Sequence, residues 1–159
     1  MPRKLTLAYV AGLFDGEGCF GTSRSPRSGH NFLVSIANTF LPVLLQMQMD
    51  YGGKVYKRKK RQAHWKESYV WALAGRDGQR QFVEALLPHL VIKRQQAELF
   101  LAGLKLVQQP KSHYKFTKGE LTARTAIAEA IQILNQGESK PEQVITRVEE
   151  EQLCLRLGL

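Results

Sequence analysis

The chain predicts an α+β fold, an antiparallel sheet with helices on one face, and two observations carry that prediction. Apolar residues recur at helical spacing in some segments and alternate in others, in the order helix, two strands, helix, two strands, helix, an αββαββα series. The strands come in pairs joined by short turn-forming stretches, as hairpins require and parallel crossovers do not. At 159 residues the chain is long enough for one domain with a sizeable core. We expect a single domain over residues 1–159, with a core at about 5–110 and a helical extension at about 117–159.

Thr6 is placed to cap a first helix over Leu7 to Phe14, its hydroxyl accepting an otherwise orphaned amide. Ala8, Ala11 and Gly12 carry little bulk, and Ala8 and Gly12 share one face at i,i+4, so a second helix could approach closely there. The apolar run is far shorter than the ~20 residues that span a bilayer, and no membrane partner is expected. Gly16 and Gly18 are expected to take the chain out of the helix through angles other residues resist, exposing carbonyls beside Asp15 and Glu17. Cys19 to Ser25 reads as a strand, Pro26-Arg27-Ser28-Gly29 as a turn, and Asn31 to Ala37 as a second strand. Phe32, Val34 and Ile36 then face the core, and Asn31, Leu33 and Ser35 face away.

Asn38-Thr39 precedes a helix reaching about Tyr51, with Pro42 tolerable in its first turn and Gly52-Gly53 ending it. Lys54 to Arg61 and Lys66 to Ala74 form a second hairpin whose core face is Tyr69, Trp71 and Leu73. Asp77 caps a short helix through Leu87, which Pro88 closes, and Lys93 to Gln109 is an amphipathic helix. Thr117-Lys118-Gly119-Glu120 is a capping box opening a helix to about Gln136, and Ser139-Lys140-Pro141-Glu142 repeats the signal.

Lys and Arg total 23 against 14 acidic residues, a net charge of +9 that favours a polyanionic partner. Cys19 and Cys154 match no metal-ligand spacing and read as reduced, and His30, His64, His89 and His113 are too scattered for a zinc or His-metal nuclease site. The opening Met1-Pro2-Arg3-Lys4 carries no signal-peptide core or transit segment. Positive charge is concentrated in Lys57-Arg58-Lys59-Lys60-Arg61, followed by Lys66. Five consecutive cations repel one another unless an anion compensates.

A two-stranded antiparallel ribbon fits the DNA major groove, where each base pair shows a distinct donor and acceptor pattern. In the first hairpin Ser23, Ser25, Arg27, Asn31 and Ser35 supply a polar outer face. In the second, burying Tyr56 would send Val55, Lys57, Lys59 and Arg61 outward, and burying Trp71 would send Ser68, Val70 and Ala72 outward. At the end of the first helix, the Asp15 and Glu17 carboxylates and the carbonyls beside them are hard oxygen donors of the kind Mg²⁺ takes. Glu17 reads otherwise as a solvated acid after a helix, and Asp15 as a turn residue accepting from nearby amides.

The stretch Val10-Ala11-Gly12-Leu13-Phe14-Asp15-Gly16-Glu17-Gly18 resembles the LAGLIDADG motif of homing endonucleases, with Val10 in place of the first leucine, Gly16 in place of an alanine and Glu17 in place of the last aspartate. The resemblance extends over most of the chain and is to the single-motif, group I intron-encoded members. It implies the family's saddle-shaped antiparallel sheet and a homodimer meeting through Ala8, Ala11 and Gly12. The implied activity is site-specific hydrolysis of double-stranded DNA at a long, near-palindromic target. The implied cofactor is Mg²⁺, with Mn²⁺ or Ca²⁺ as substitutes in binding, held by Glu17 and Gly16.

The implied catalytic residues are Glu17, Lys93 and Asn38, with Arg94 on a phosphate. Lys93 reads otherwise as a helix-start lysine in solvent, and Asn38 as a cap for the following helix. An intron-encoded origin implies an intracellular address, in a chloroplast or mitochondrion. The alternative functions are an RNA maturase with intron RNA as partner and a non-cleaving DNA-binding regulator of the same fold.

Overall fold

The computed structural model describes residues 3–26, 29–106 and 116–136. Its elements are α1 (Leu7–Glu17), β1 (Gly18–Ser25), β2 (Gly29–Asn38), α2 (Leu41–Tyr51), β3 (Lys54–Lys57), β4 (Tyr69–Leu73), α3 (Arg76–Leu86), a 3-10 turn (Leu87–His89), α4 (Arg94–Lys105) and α5 (Lys118–Asn135). The strands form one antiparallel sheet in the order β1-β2-β4-β3, and the α+β series is the one expected. Arg27, Gln109, His113, Cys154 and the expected C-terminal helix from Ser139 lie outside the described residues. No described helix is long and apolar enough to cross a membrane.

The chain divides into two compact units, one taking residues 1–19 and 33–94 and the other residues 20–32 and 95–159. In the first unit, Trp71 decides which face of the sheet is core. Its side chain is fully buried, donates from Nε1 to the Gly52 carbonyl at 2.8 Å, and lies 5.2 Å from the Phe82 ring of α3. The ladder places Ile36 and Val55 on either side of it, and Val34 opposite Leu73. Phe14 of α1 meets Phe82 edge-on at 6.2 Å.

This register overturns the expected orientation of β3. Val55 and Lys57 share the Trp71 face, while Lys54 and Tyr56 share the opposite one with Val70 and Ala72. Tyr56 is 51% exposed, whereas Val55 is half-buried, because cross-strand packing on the large buried indole outweighs the hydrophobicity of a lone tyrosine. The strand also stops at Lys57 instead of Arg61; one further bond, from the Arg58 amide to the Ser68 carbonyl at 2.8 Å, closes the ladder.

Local signals set most helix ends. Thr6 caps α1, Pro42 sits in the first turn of α2, and Thr117 and Glu120 form both bonds of the capping box of α5. Asp77 does not cap α3: Gly75 does, at φ 90, and Asp77 falls in the first turn, where its charge still favours the helix dipole. α4 begins at Arg94 and its helical span ends at Lys105, inside the expected range.

The second unit has its own aromatic core. Phe100 of α4 lies 5.1 Å from Phe20 and 5.6 Å from Phe32. Gly103 lets α4 approach so closely that a Cβ there would stand 2.7 Å from the Phe32 ring. The Arg124 guanidinium of α5 lies over Phe32 and Phe116 at 4.9 and 5.0 Å and donates to the His30 carbonyl. Burial, and then the charges of Arg124 and Arg24, hold the His30 imidazole below its ordinary pKa. A ring whose pKa is lower folded than unfolded favours the folded state only while neutral. Its stabilising contribution is therefore complete above about 6.5 and is lost as pH falls through the folded value. An NMR titration is expected to show the His30 ring protonating below 6.5, with thermal stability declining over the same window.

Candidate active site and nucleic-acid interface

α1 extends three residues past the expected Phe14 and carries Asp15, Gly16 and Glu17 within its last turn. Neither Gly16 nor Gly18 takes a left-handed conformation, so the expected glycine-driven exit is not what ends the helix. Gly18 is extended at φ −78 and is needed for room: a Cβ there would stand 2.4 Å from Phe14 Cγ and 2.6 Å from the Phe14 carbonyl oxygen.

What holds the helix end is a pair of reciprocal contacts with the turn before α4. The Asp15 carboxylate accepts from the Val91 amide at 2.8 Å and the Lys93 amide at 2.9 Å. In return the Lys93 ammonium donates to the carbonyls of Phe14, at 3.2 Å, and Asp15. Those carbonyls carry the negative end of the helix dipole, so a cation there both satisfies them and stabilises the helix. Asp15 is thus the amide-accepting turn residue of the alternative reading. Lys93 is half-buried against the end of α1 and not free in solvent.

This arrangement leaves Gly16 and Glu17 exposed, one and two residues beyond the Asp15 carbonyl that holds the Lys93 ammonium. The donor set available to a cation in one chain is the Glu17 carboxylate and neighbouring backbone carbonyls, and the described residues contain no cluster of three or more His, Cys, Asp or Glu suited to a metal. Mg²⁺ keeps several waters and commonly takes only one or two protein carboxylates, so the residues fit half of such a site. Two residues beyond Glu17, Cys19 opens onto the surface at the start of β1, and partial desolvation of its sulfur, outweighing the lowering effect of Lys93, raises its thiol pKa.

Along α1, Ala8, Gly12 and Gly16 are exposed at i,i+4 spacing, and nothing lies within 4 Å of a Cβ built at Gly12 or Gly16. Ala11 does not belong to that ridge. It is fully buried in its own chain, one of the inward positions with Val10 and Phe14, and cannot present itself to a partner. Gly16 takes its place. Tyr9, 52% exposed, adds an apolar flank.

Asn38 ends β2 opposite Tyr69, and its Oδ1 accepts from the Phe40 amide at 2.8 Å. The contact shapes the entry into α2, although the helix cap itself is Phe40. Arg94 is exposed at the first position of α4.

The polar positions of the first hairpin alternate as expected. Ser23 and Ser25 fall opposite in parity to the buried Phe20, and exposed Asn31 and half-exposed Ser35 flank buried Phe32 and Val34. In the second hairpin the cations are not equivalent. Lys57 pairs with Glu67, which also accepts from the Tyr69 hydroxyl; this partnership raises the Lys57 pKa and lowers that of Glu67. Lys59, Arg61 and Lys66 are exposed and, with Arg58, Lys60, Thr39, Trp65 and Ser68, line an open cavity of about 330 Å³. The charge run pointed to this loop, but nothing in sequence spacing pointed to Trp65 or Thr39.

Residues 4–87, more than half of the chain, match the LAGLIDADG-like domain. The chain belongs to the LAGLIDADG family. No protein of curated function matches it. Among solved structures it resembles the homing endonuclease I-CvuI, seen in complex with its target in the presence of 2 mM Ca, at 24% identity and TM-score 0.61, over 91% of this chain and 93% of that one. It resembles the homing endonuclease I-TnaI at 22% identity and TM-score 0.60, over 94% and 99% of the two chains. The LAGLIDADG meganuclease I-CpaMI, bound to uncleaved DNA, matches at 18% identity and TM-score 0.60 over 77% of this chain but only 42% of its own. At these identities the likeness is one of LAGLIDADG fold. The motif residues Asp15 to Gly18 fall inside the matched domain, at the organised end of α1.

Proposed function

We propose that the protein is a site-specific DNA endonuclease that hydrolyses both strands of a long, near-palindromic duplex as a homodimer. One observation carries this reading. The motif helix ends in an exposed carboxylate, Glu17, and the Lys93 ammonium is held at that same helix end by the carbonyls of Phe14 and Asp15. The match to I-TnaI over nearly its whole length, against less than half of I-CpaMI, supports a chain that supplies one half of a symmetric assembly.

In the dimer, two copies pack their Ala8-Gly12-Gly16 ridges about a twofold axis, which brings two Glu17 carboxylates together at the centre. Glu17 and the Gly16 carbonyl would hold a divalent cation there, Mg²⁺ in function and Mn²⁺ or Ca²⁺ in binding, which would supply an activated water and neutralise charge on the scissile phosphate. Lys93 places a positive charge near the developing negative charge, and Asp15 keeps the Lys93 backbone in place. Asn38, with an amide that both donates and accepts, orders water near the phosphate. Ser23, Ser25, Asn31, Ser35 and Ser68 read base edges, while Lys59, Arg61, Lys66 and Arg94 contact phosphates.

Incubation with randomised duplexes and Mg²⁺, followed by sequencing of cut ends, tests the reading. Paired cuts at a fixed offset within one near-palindromic sequence are expected; binding without cutting would identify a DNA-binding regulator instead. Because Lys57 is already partnered by Glu67, the loop cations should carry most of the salt dependence. Replacing Lys59 or Arg61 by Ala is expected to reduce the slope of log affinity against log salt by about 0.9 each, and Lys57→Ala by less. Equal changes in a fluorescence-anisotropy titration would contradict that ranking.

A further inference from the structure

To the cations that face duplex DNA, the loop between β3 and β4 adds a feature that reading a duplex does not use. Trp65 is 48% exposed at its centre, in a chain whose other tryptophan, Trp71, is wholly buried. A backbone turn fixes its position in the loop, the Trp65 amide donating to the Gln62 carbonyl at 3.2 Å. Around the indole stand Arg58, Lys59, Lys60, Arg61 and Lys66, and the ion pairs Lys57–Glu67 and Arg80–Asp77 neutralise none of these five.

An exposed indole offers a π face, and stacking needs a ligand that offers one in return. A base inside a duplex shows only its edge to the grooves, whereas an unpaired base shows its face. The cavity, about 330 Å³, is at the small end of the range for ligand sites, large enough for one nucleotide and too small for a helix. A stacking ring set among cations that track phosphates is the arrangement by which single-stranded polynucleotides are held.

We propose that this loop is a binding site for single-stranded nucleic acid, with Trp65 stacking on an unpaired base and Arg58, Lys60 and the neighbouring cations holding the flanking phosphates. The inference rests on reading the protein as nucleic-acid-binding, and it adds a ligand that the cleavage reaction itself does not require.

The test uses the full-length protein without divalent metal and an oligothymidylate of about eight nucleotides. Because Trp71 is buried, quenching of tryptophan emission reports Trp65. The oligothymidylate is expected to quench, and Trp65→Ala to bind it about tenfold more weakly, the loss of one base stack. An abasic oligomer of the same length and charge should bind the wild type no better than oligothymidylate binds that variant. An oligouridylate arm separates the sources: equal binding admits RNA, and weaker binding restricts the site to DNA. Equal affinity for abasic and thymidylate oligomers, or an unchanged affinity in Trp65→Ala, would overturn the proposal and leave only an electrostatic surface. Duplex cleavage assayed on the same wild-type preparation keeps the two readings apart: cutting without base-dependent single-strand binding overturns only this inference.

Discussion

Replacing Glu17 by Gln is expected to abolish strand cleavage, by about 10³-fold or more, while leaving specific duplex binding within a few-fold of wild type. The substitution is nearly isosteric and the side chain is exposed at the end of α1, so it removes a charge without disturbing the core. Metal ligation depends on that charge; base reading depends on the hairpins. Measured side by side, a plasmid cleavage assay and a gel-shift titration separate the two. Cutting at the wild-type rate in Mg²⁺ would remove Glu17 from the reaction.

Asp15→Ala should lower stability measurably without touching the apolar core. It deletes the acceptor of two charge-assisted bonds, from the Val91 and Lys93 amides, in a half-buried setting. Bonds of this class contribute about 1.5–3 kcal/mol each, and partial exposure places the pair near about 3 kcal/mol. For a chain of this size that corresponds to roughly 6–12 °C in melting temperature. Cleavage should fall as well, because the turn that positions Lys93 loses its anchor. Asp15→Asn keeps one acceptor oxygen and should recover part of both losses. A melting temperature within about 1 °C of wild type in Asp15→Ala would show that Lys93 alone holds the helix end.

The parts of this structure that were legible in the sequence are those fixed by neighbours in the chain. Thr6, Pro42 and the Thr117–Glu120 capping box act over a few residues, and each begins its helix where expected. The alternation of Phe32, Val34 and Ile36 is likewise decided within one strand, so the polar face of the first hairpin could be read directly. β3 was different. In Lys54–Lys57 either Val55 or Tyr56 could be the inward residue, and only the pairing of Val55 with Trp71 across the ladder chooses. In α1, small residues occur on both faces, so Ala11 looked like part of a contact ridge until Val10 and Phe14 were seen to turn it inward. Asp15 grips an amide 76 residues away, a separation over which no periodic pattern operates. The catalytic candidates were therefore visible as a motif, while the contacts that orient them were not.

The central claim is that each copy of the chain supplies one Glu17 and cuts one strand. A purified heterodimer of wild-type and Glu17→Gln chains, tagged differently and incubated with supercoiled plasmid carrying the target, tests it most directly. The account predicts nicked circles with one strand cut per site; linear product, or plasmid left wholly intact, would contradict it.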